Sequence, residues 1–262
     1  MFCNKISLGA SIKHNAHTGK DMIRLLFFWT LTATSLAAEP DWATYDELLQ
    51  SHLLTAEKDG LRLNLVNYAS IATDPDFYSI VNRIIQFDVE QLGSDEEKLA
   101  FYINAYNVLT IKLILDNWPV DSIRDIGSFF NGPWDVVVLE NADGQLTLDD
   151  IEHNIIRKLN EPRIHFAVNC ASISCPDLRQ EAYRADRLDE QLDEQTRLFL
   201  NNERGLLLEG DRLRLSKIFD WYGEDFDAYG NLENFIKLYR PELEYNDLRT
   251  NLPYNWNLNS TP

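Results

Sequence analysis

Apolar residues recur at helical spacing over residues 43–54 (ATYDELLQSHLL) and 75–88, where Asp74-Pro75 supplies a helix start. The strongest pattern spans residues 94–116. Ser94-Asp95-Glu96-Glu97 reads as a capping box, and the following FYINAYNVLTIKLIL is apolar almost all the way round. On a helical wheel Lys98, Lys112 and Asp116 mark its one solvent stripe, with Asn107 nearly opposite and Asn104 on the flank. Such a helix belongs inside a core. The simplest role for its two amides is hydrogen bonding to neighbouring loops, because buried amides need local partners.

A second helix is predicted over residues 148–159, with Thr147 and Asp150 placed as cap and N3 acid. Leu148, Ile151, Ile155, Ile156 and Leu159 form one face of it, Glu152 falls inside that face, and His153 sits on its edge. A carboxylate on an apolar stripe needs a partner or a raised pKa. Strands are predicted at 134–139 and 163–169, and in a hairpin of 206–208 with 212–215 about Glu209-Gly210-Asp211. Further helices at about 186–202, 217–226 and 231–239 complete the pattern. The predicted class is α+β, a helix-rich single domain packed around a small β-sheet with a central buried helix.

The N-terminal stretch changes the boundaries of that domain. From Met22 the chain reads MIRLLFFWTLTATSLAAEP, with Arg24 ahead of an apolar run and Ser35-Leu36-Ala37-Ala38 behind it. This is the layout of an export signal cleaved after Ala37 or Ala38, and the run is short for a membrane span. Residues 1–37 are therefore assigned to the signal, with Met22 as an alternative start, and 38–262 to one domain without internal repeats or linkers. The expected location is periplasmic or secreted, with no integral membrane segment after processing. Removing the signal takes away four basic residues and one acid, moving the net charge from −18 to −21. That surface repels nucleic acid and anionic lipid.

Both cysteines and one of the three histidines left after processing fall in RIHFAVNCASISCPDL, residues 163–178. The apolar run Ile164, Phe166, Ala167, Val168 reads as a short buried strand, and Ser172, Ser174 and Pro176 as a turn before a helix-like stretch. Strand ends next to helix starts often carry reactive groups, since backbone N–H groups there stabilise negative charge.

The segments FYINAYNVLTI, LTLDDIEHNIIR, PRIHFAVNCASISCPDLR, LDEQLDEQTRLFLN, LSKIFDWYGEDF and LPYNWNLN closely resemble the family called domain of unknown function 547 (DUF547), over roughly residues 93–256. The family motif falls on Asn104, Asn107, Glu152, His153, His165, Cys170, Cys175, Pro176, Lys217, Trp221, Tyr222 and Asp225. The resemblance implies an exported single-domain protein and supplies no activity.

Three chemical readings of these residues stand side by side. The first is a cell-envelope hydrolase or acyltransferase acting on an amide- or ester-like bond. Cys175 is then the nucleophile, activated by a helix N-terminus that Pro176 opens, with His165 or His153 as base and Asn107 or Glu152 orienting that base. No histidine follows Cys175, so only a His-then-Cys order fits. On an extended strand His165 and Cys170 would point to opposite faces roughly 16 Å apart, which excludes them as a dyad. The second reading is a Cys170–Cys175 disulfide in a non-catalytic domain whose polar pocket binds a small molecule or peptide. The third is zinc held by His153, His165, Cys170 and Cys175, although no cofactor is implied by any fingerprint in the chain. Lys217, Trp221, Tyr222 and Asp225 read as core anchors on one short helix, with carbohydrate stacking as the alternative that exposed aromatics would favour, and Tyr254-Asn255-Trp256 as a clasp on the domain.

Overall fold

Trp42 and Tyr45 are buried at the start of helix α1 (Ala43–His52), and the chain passes from it without a loop into strand β1 (Leu53–Lys58). The predicted helix over 43–54 overruns by two residues, because Leu53 and Leu54 pair with Val66 and Leu65 of β2 (Leu61–Val66). Asp59 and Gly60, at φ 52° and 78°, make the two-residue turn between these strands. The computed structural model describes residues 40–128, 131–141 and 144–262. The predicted export signal and its cleavage site lie outside the described residues.

A short helix α2 (Tyr68–Ile71) follows, and then α3 (Pro75–Gln86), whose Asp74 cap accepts from Asp76 N and whose Phe77, Ile80, Val81 and Ile84 are buried. The central helix α4 (Asp95–Asp116) starts as expected, with Ser94 Oγ accepting from Glu97 N at 3.1 Å. The Glu97 carboxylate accepts from Gly93 N instead of closing the box on Ser94. The helix is buried on almost every side apart from the Lys98, Lys112 and Asp116 stripe.

Strands β3 (Val137–Asn141) and β4 (Gly144–Thr147) form a second hairpin, and the predicted strand at 134–139 begins instead as a 3-10 turn at Pro133–Asp135. The predicted helix at 148–159 is present but wide, a π-helical turn over Asp150–Ile155 running into a 3-10 turn over Ile156–Leu159. Thr147 and Asp150 cap it reciprocally, each side chain accepting the other's backbone N–H at 3.0 Å. Beyond the cysteines come α5 (Leu188–Leu200), the hairpin β5 (Leu206–Glu209) with β6 (Arg212–Leu215), and α6 (Ile218–Trp221). A 3-10 stretch Gly223–Tyr229, α7 (Leu232–Tyr239) and β7 (Asp247–Arg249), which joins β6 in parallel, complete the described chain. The class is α+β with a buried central helix, and its strands fall in three separate small sheets.

The segment 163–169 departs from the prediction. It is not a strand: Pro162–Phe166 is a 3-10 turn whose cap, Glu161, accepts from Arg163 N at 3.0 Å. Proline at the first helical position presets φ, and among the described residues no strand pairs with this segment. The strand-like alternation arises from two cores. Ile164 and Ala167 pack into the large cluster around α4, while Phe166 enters an aromatic cluster with Phe199, Phe219, Phe226 and Phe235. His165 is held where these two cores meet.

Candidate active site: a cysteine–histidine cavity

Both α4 amides act on neighbouring backbone. Asn104 donates to Tyr183 O and accepts from Tyr183 N, at 2.8 and 2.9 Å. Asn107 donates to Ala167 O at 3.0 Å and accepts from Asn169 N at 2.8 Å. Each amide thus substitutes for a paired peptide group. Asn107 does not line the cavity described below; its amide is occupied in fixing the segment between His165 and Cys170.

From Asn169 onward the cysteine loop is tied down atom by atom. Asn169 Oδ1 accepts from Ala171 N, which helps hold Ala171 at φ 59°, a left-handed conformation that costs a non-glycine residue of order 1 kcal/mol or more. Ile173 N and Ser174 N donate to Asn257 O and Asn255 O, so the tail 254–259 lies along the loop as the expected clasp. Buried Arg204 donates to Ile173 O and pairs with Asp177 at 2.6 Å. No helix starts at Pro176, since residues 176–179 have no regular structure, so the expected helix-dipole activation of Cys175 is not formed. A different donor stands in its place: Cys170 N lies 2.8 Å from Cys175 Sγ. The two sulfurs lie at disulfide distance, with Cα atoms 6.0 Å apart. Cys175 is buried and Cys170 partly open.

A cavity of about 400 Å³ opens here, lined by Glu152, His153, His165, Cys170 and Cys175 together with aromatic walls. With 163–166 coiled, the separation expected of an extended strand no longer applies to His165 and Cys170. The two histidines differ in what they can do. Arg157 Nη1 lies 2.7 Å from His153 Nδ1, and because a guanidinium only donates, Nδ1 accepts and the proton sits on Nε2, facing Asp149 at 3.4 Å. Both nitrogens of His153 are therefore engaged. His165 Nε2 lies 2.7 Å from Asp225 Oδ2, its ring stacks on Tyr222 at 4.0 Å, and its Nδ1 is buried without a partner. With Nε2–H given to the carboxylate, neutral His165 presents a free lone pair at Nδ1.

Asp225 also accepts from Arg157 Nε and Nη2, both at 2.7 Å. Partial burial would raise its pKa, but the hydrogen bonds from His165 and Arg157, joined by the Arg157 charge, outweigh that and hold it well below the usual carboxylate range. Glu152 is 5% exposed and finds its expected partners in the hydroxyls of Tyr106 and Tyr222. Burial first, and the Glu152 charge second, push both phenols above their ordinary pKa, so they remain donors to the carboxylate. Among the described residues no group of three or more His, Cys, Asp or Glu side chains is arranged to hold a metal, so the four-donor zinc arrangement is not formed.

Sequence reasoning placed Asp225, Trp221 and Tyr222 as core anchors. Trp221 is instead 46% exposed, and Trp134, Trp221, Tyr222, Tyr254 and Trp256 wall the cavity. Trp221 ends α6 and Asp225 lies in the following 3-10 stretch, so the two do not share one helix.

Fold and site together define a helix-rich α+β domain in which two cysteines and a histidine held from behind by Asp225 line one aromatic cavity. Residues 89–200 match the family model described as "Protein of unknown function, DUF547", and this segment belongs to that family. The match holds Glu152, both cavity histidines and both cysteines; it stops short of Trp221, Tyr222, Asp225 and the tail. No curated protein and no solved structure matches the chain.

Proposed function

We propose that this is an exported thiol-dependent hydrolase or acyltransferase acting on an amide- or ester-like bond. One observation carries the reading: a buried His165, fixed through Nε2 by Asp225 and unpartnered at Nδ1, lines the cavity that holds Cys175. In the reduced protein Cys175 attacks the acyl carbon, a sulfur–carbon bond forms, and the bond to the leaving group breaks. His165 Nδ1 takes the thiol proton and delivers it to the leaving amine or alcohol, and water or an acceptor nucleophile then releases the acyl group. Asp225 fixes the tautomer, and the Cys170 N–H favours the thiolate. Asn107 acts as a positioning residue, setting the peptide groups between base and nucleophile. When the two sulfurs are joined the enzyme is latent.

The sulfur pairing itself favours a second reading, a binding domain in which the disulfide is structural. Intact mass before and after reduction, followed by timed alkylation with iodoacetamide near pH 6, separates the two. The enzyme reading expects Cys175 of the reduced protein to react about tenfold or more faster than in His165→Gln, because a thiolate and not a thiol is alkylated. Equal rates in both proteins would leave the binding domain standing.

A further inference from the structure

The charged side chains lining the cavity are Asp135, Asp149 and Glu152, and neither lysine nor arginine lines it. Glu152 is buried, and its hydroxyl donors solvate its charge without cancelling it. Asp135 is exposed and accepts a backbone N–H from Gly132, while Asp149 is half-exposed with His153 Nε2 at 3.4 Å. Cations near the walls have partners of their own: Arg157 is held in a two-point pair by Asp225, Arg204 is paired with Asp177, and Arg124 lies over Trp256 from outside the lining. The chain's net charge of −18 adds to the negative potential that a low-dielectric cleft concentrates.

The walls favour positive charge as well. Within the protein itself, the Arg124 guanidinium sits 5.4 Å from the Trp256 ring centre and that of Arg157 5.3 Å from Tyr222. Indole and phenol faces attract cations through the ring quadrupole, and alkylated ammonium groups, which desolvate cheaply, profit most. Trp134 and the half-exposed Trp221 supply further ring surface beside Asp135 and Asp149. About 400 Å³ is enough for a small organic molecule.

We propose that this cavity recognises an organic ammonium group, so that the bond cleaved belongs to a cationic substrate. The substrate assignment rests on the thiol reading above, whereas the recognition of the cation does not.

The test uses choline and its neutral carbon isostere, 3,3-dimethylbutan-1-ol, titrated into the full chain carrying Cys175→Ser, with tryptophan fluorescence and calorimetry as readouts. Choline should bind about tenfold or more tighter than the isostere, lose that advantage in high salt, and bind more weakly to Asp149→Asn while the isostere is unaffected. Ethanolamine in a third titration reports whether alkylation of the nitrogen matters. Because Asp149 is half-exposed and the substitution keeps its shape, melting curves confirm that the variant is folded, and the salt titration of the parent protein tests the same charge effect without that variant. Equal binding of choline and isostere, tighter binding of the isostere, or no binding of choline would overturn the proposal. Cation preference without fast alkylation of Cys175 in the thiol protein would sink the hydrolase reading and keep the cation site. Fast alkylation without cation preference would do the reverse.

Discussion

Asp225→Asn removes one charge from the centre of the site and keeps its shape. The carboxylate accepts three charge-assisted hydrogen bonds at 2.7 Å, one from His165 and two from Arg157. Each is worth roughly 1.5–3 kcal/mol when well buried. Asp225 and Arg157 are about a quarter exposed, so screening by solvent reduces that figure, and the amide oxygen still accepts from Arg157. A net loss of about 2 kcal/mol follows, which lowers the melting temperature of a domain of about 220 ordered residues by about 4 °C. The chemical effect is distinct. Oδ2 accepts from both His165 Nε2 and Arg157 Nε while Oδ1 accepts from Arg157 Nη2, so the amide oxygen keeps most at Oδ2, its NH2 meets Arg157 Nη2, and the charge that stabilises a protonated His165 is lost. The base is weakened without being turned, and alkylation of Cys175 in the reduced protein should slow by about tenfold, toward the His165→Gln rate. The stability gap also depends on pH with a definite sign. Because the folded-state pKa of Asp225 is depressed, its contribution is full above the unfolded carboxylate value near 4 and declines as pH falls toward the folded one. The difference in stability between parent and variant should therefore begin to close between about pH 5 and pH 3. An unchanged alkylation rate, or a gap that stays constant or widens over that range, would refute the reasoning.

Glu152→Leu strips the acceptor from the buried Tyr106 hydroxyl and the half-buried Tyr222 hydroxyl and should cost about 2–4 kcal/mol in urea unfolding, with Glu152→Gln much milder; an unaltered midpoint would remove Glu152 from its assigned place. Asn107→Ala leaves Ala167 O and Asn169 N unpaired in the core and should cost about 2–3 kcal/mol while slowing alkylation of Cys175, and a destabilised variant with parental alkylation would make the residue purely structural. N-terminal sequencing of protein recovered from its native host should find Ala38 or Glu39 first, and an intact Met1 or Met22 would contradict export by cleavage.

What the sequence made legible was local. The caps Asp74, Ser94 and Thr147, the all-round apolar run of α4 and the Gly210 turn each act through residues a few positions away, and each lies where the pattern put it. A further local signal was available and went unread: Asp59-Gly60 between two strand-like runs marks the first hairpin, hidden because α1 runs into β1 with no glycine or proline between. The failures are long-range. Alternation in 163–169 reports two cores meeting at one turn, a situation that mimics the two faces of a strand. The partner of His165 lies 60 residues away, and no spacing rule connects it to the cysteines. The aromatic walls are contributed by α6 and the tail, so their exposure depends on how those elements dock.

The tail has a consequence for biosynthesis. Cys170 and Cys175 are five residues apart and can meet as soon as their own loop has formed. The wall residues Tyr254 and Trp256 are supplied about eighty residues later, with Asn255 docking on Ser174 across a separation of 81. A growing chain can therefore bring its sulfurs together well before it owns a finished cavity. Under the thiol reading, sulfurs joined at that stage leave the cysteines masked before the chamber exists, and such a molecule needs a reductant before Cys175 can react.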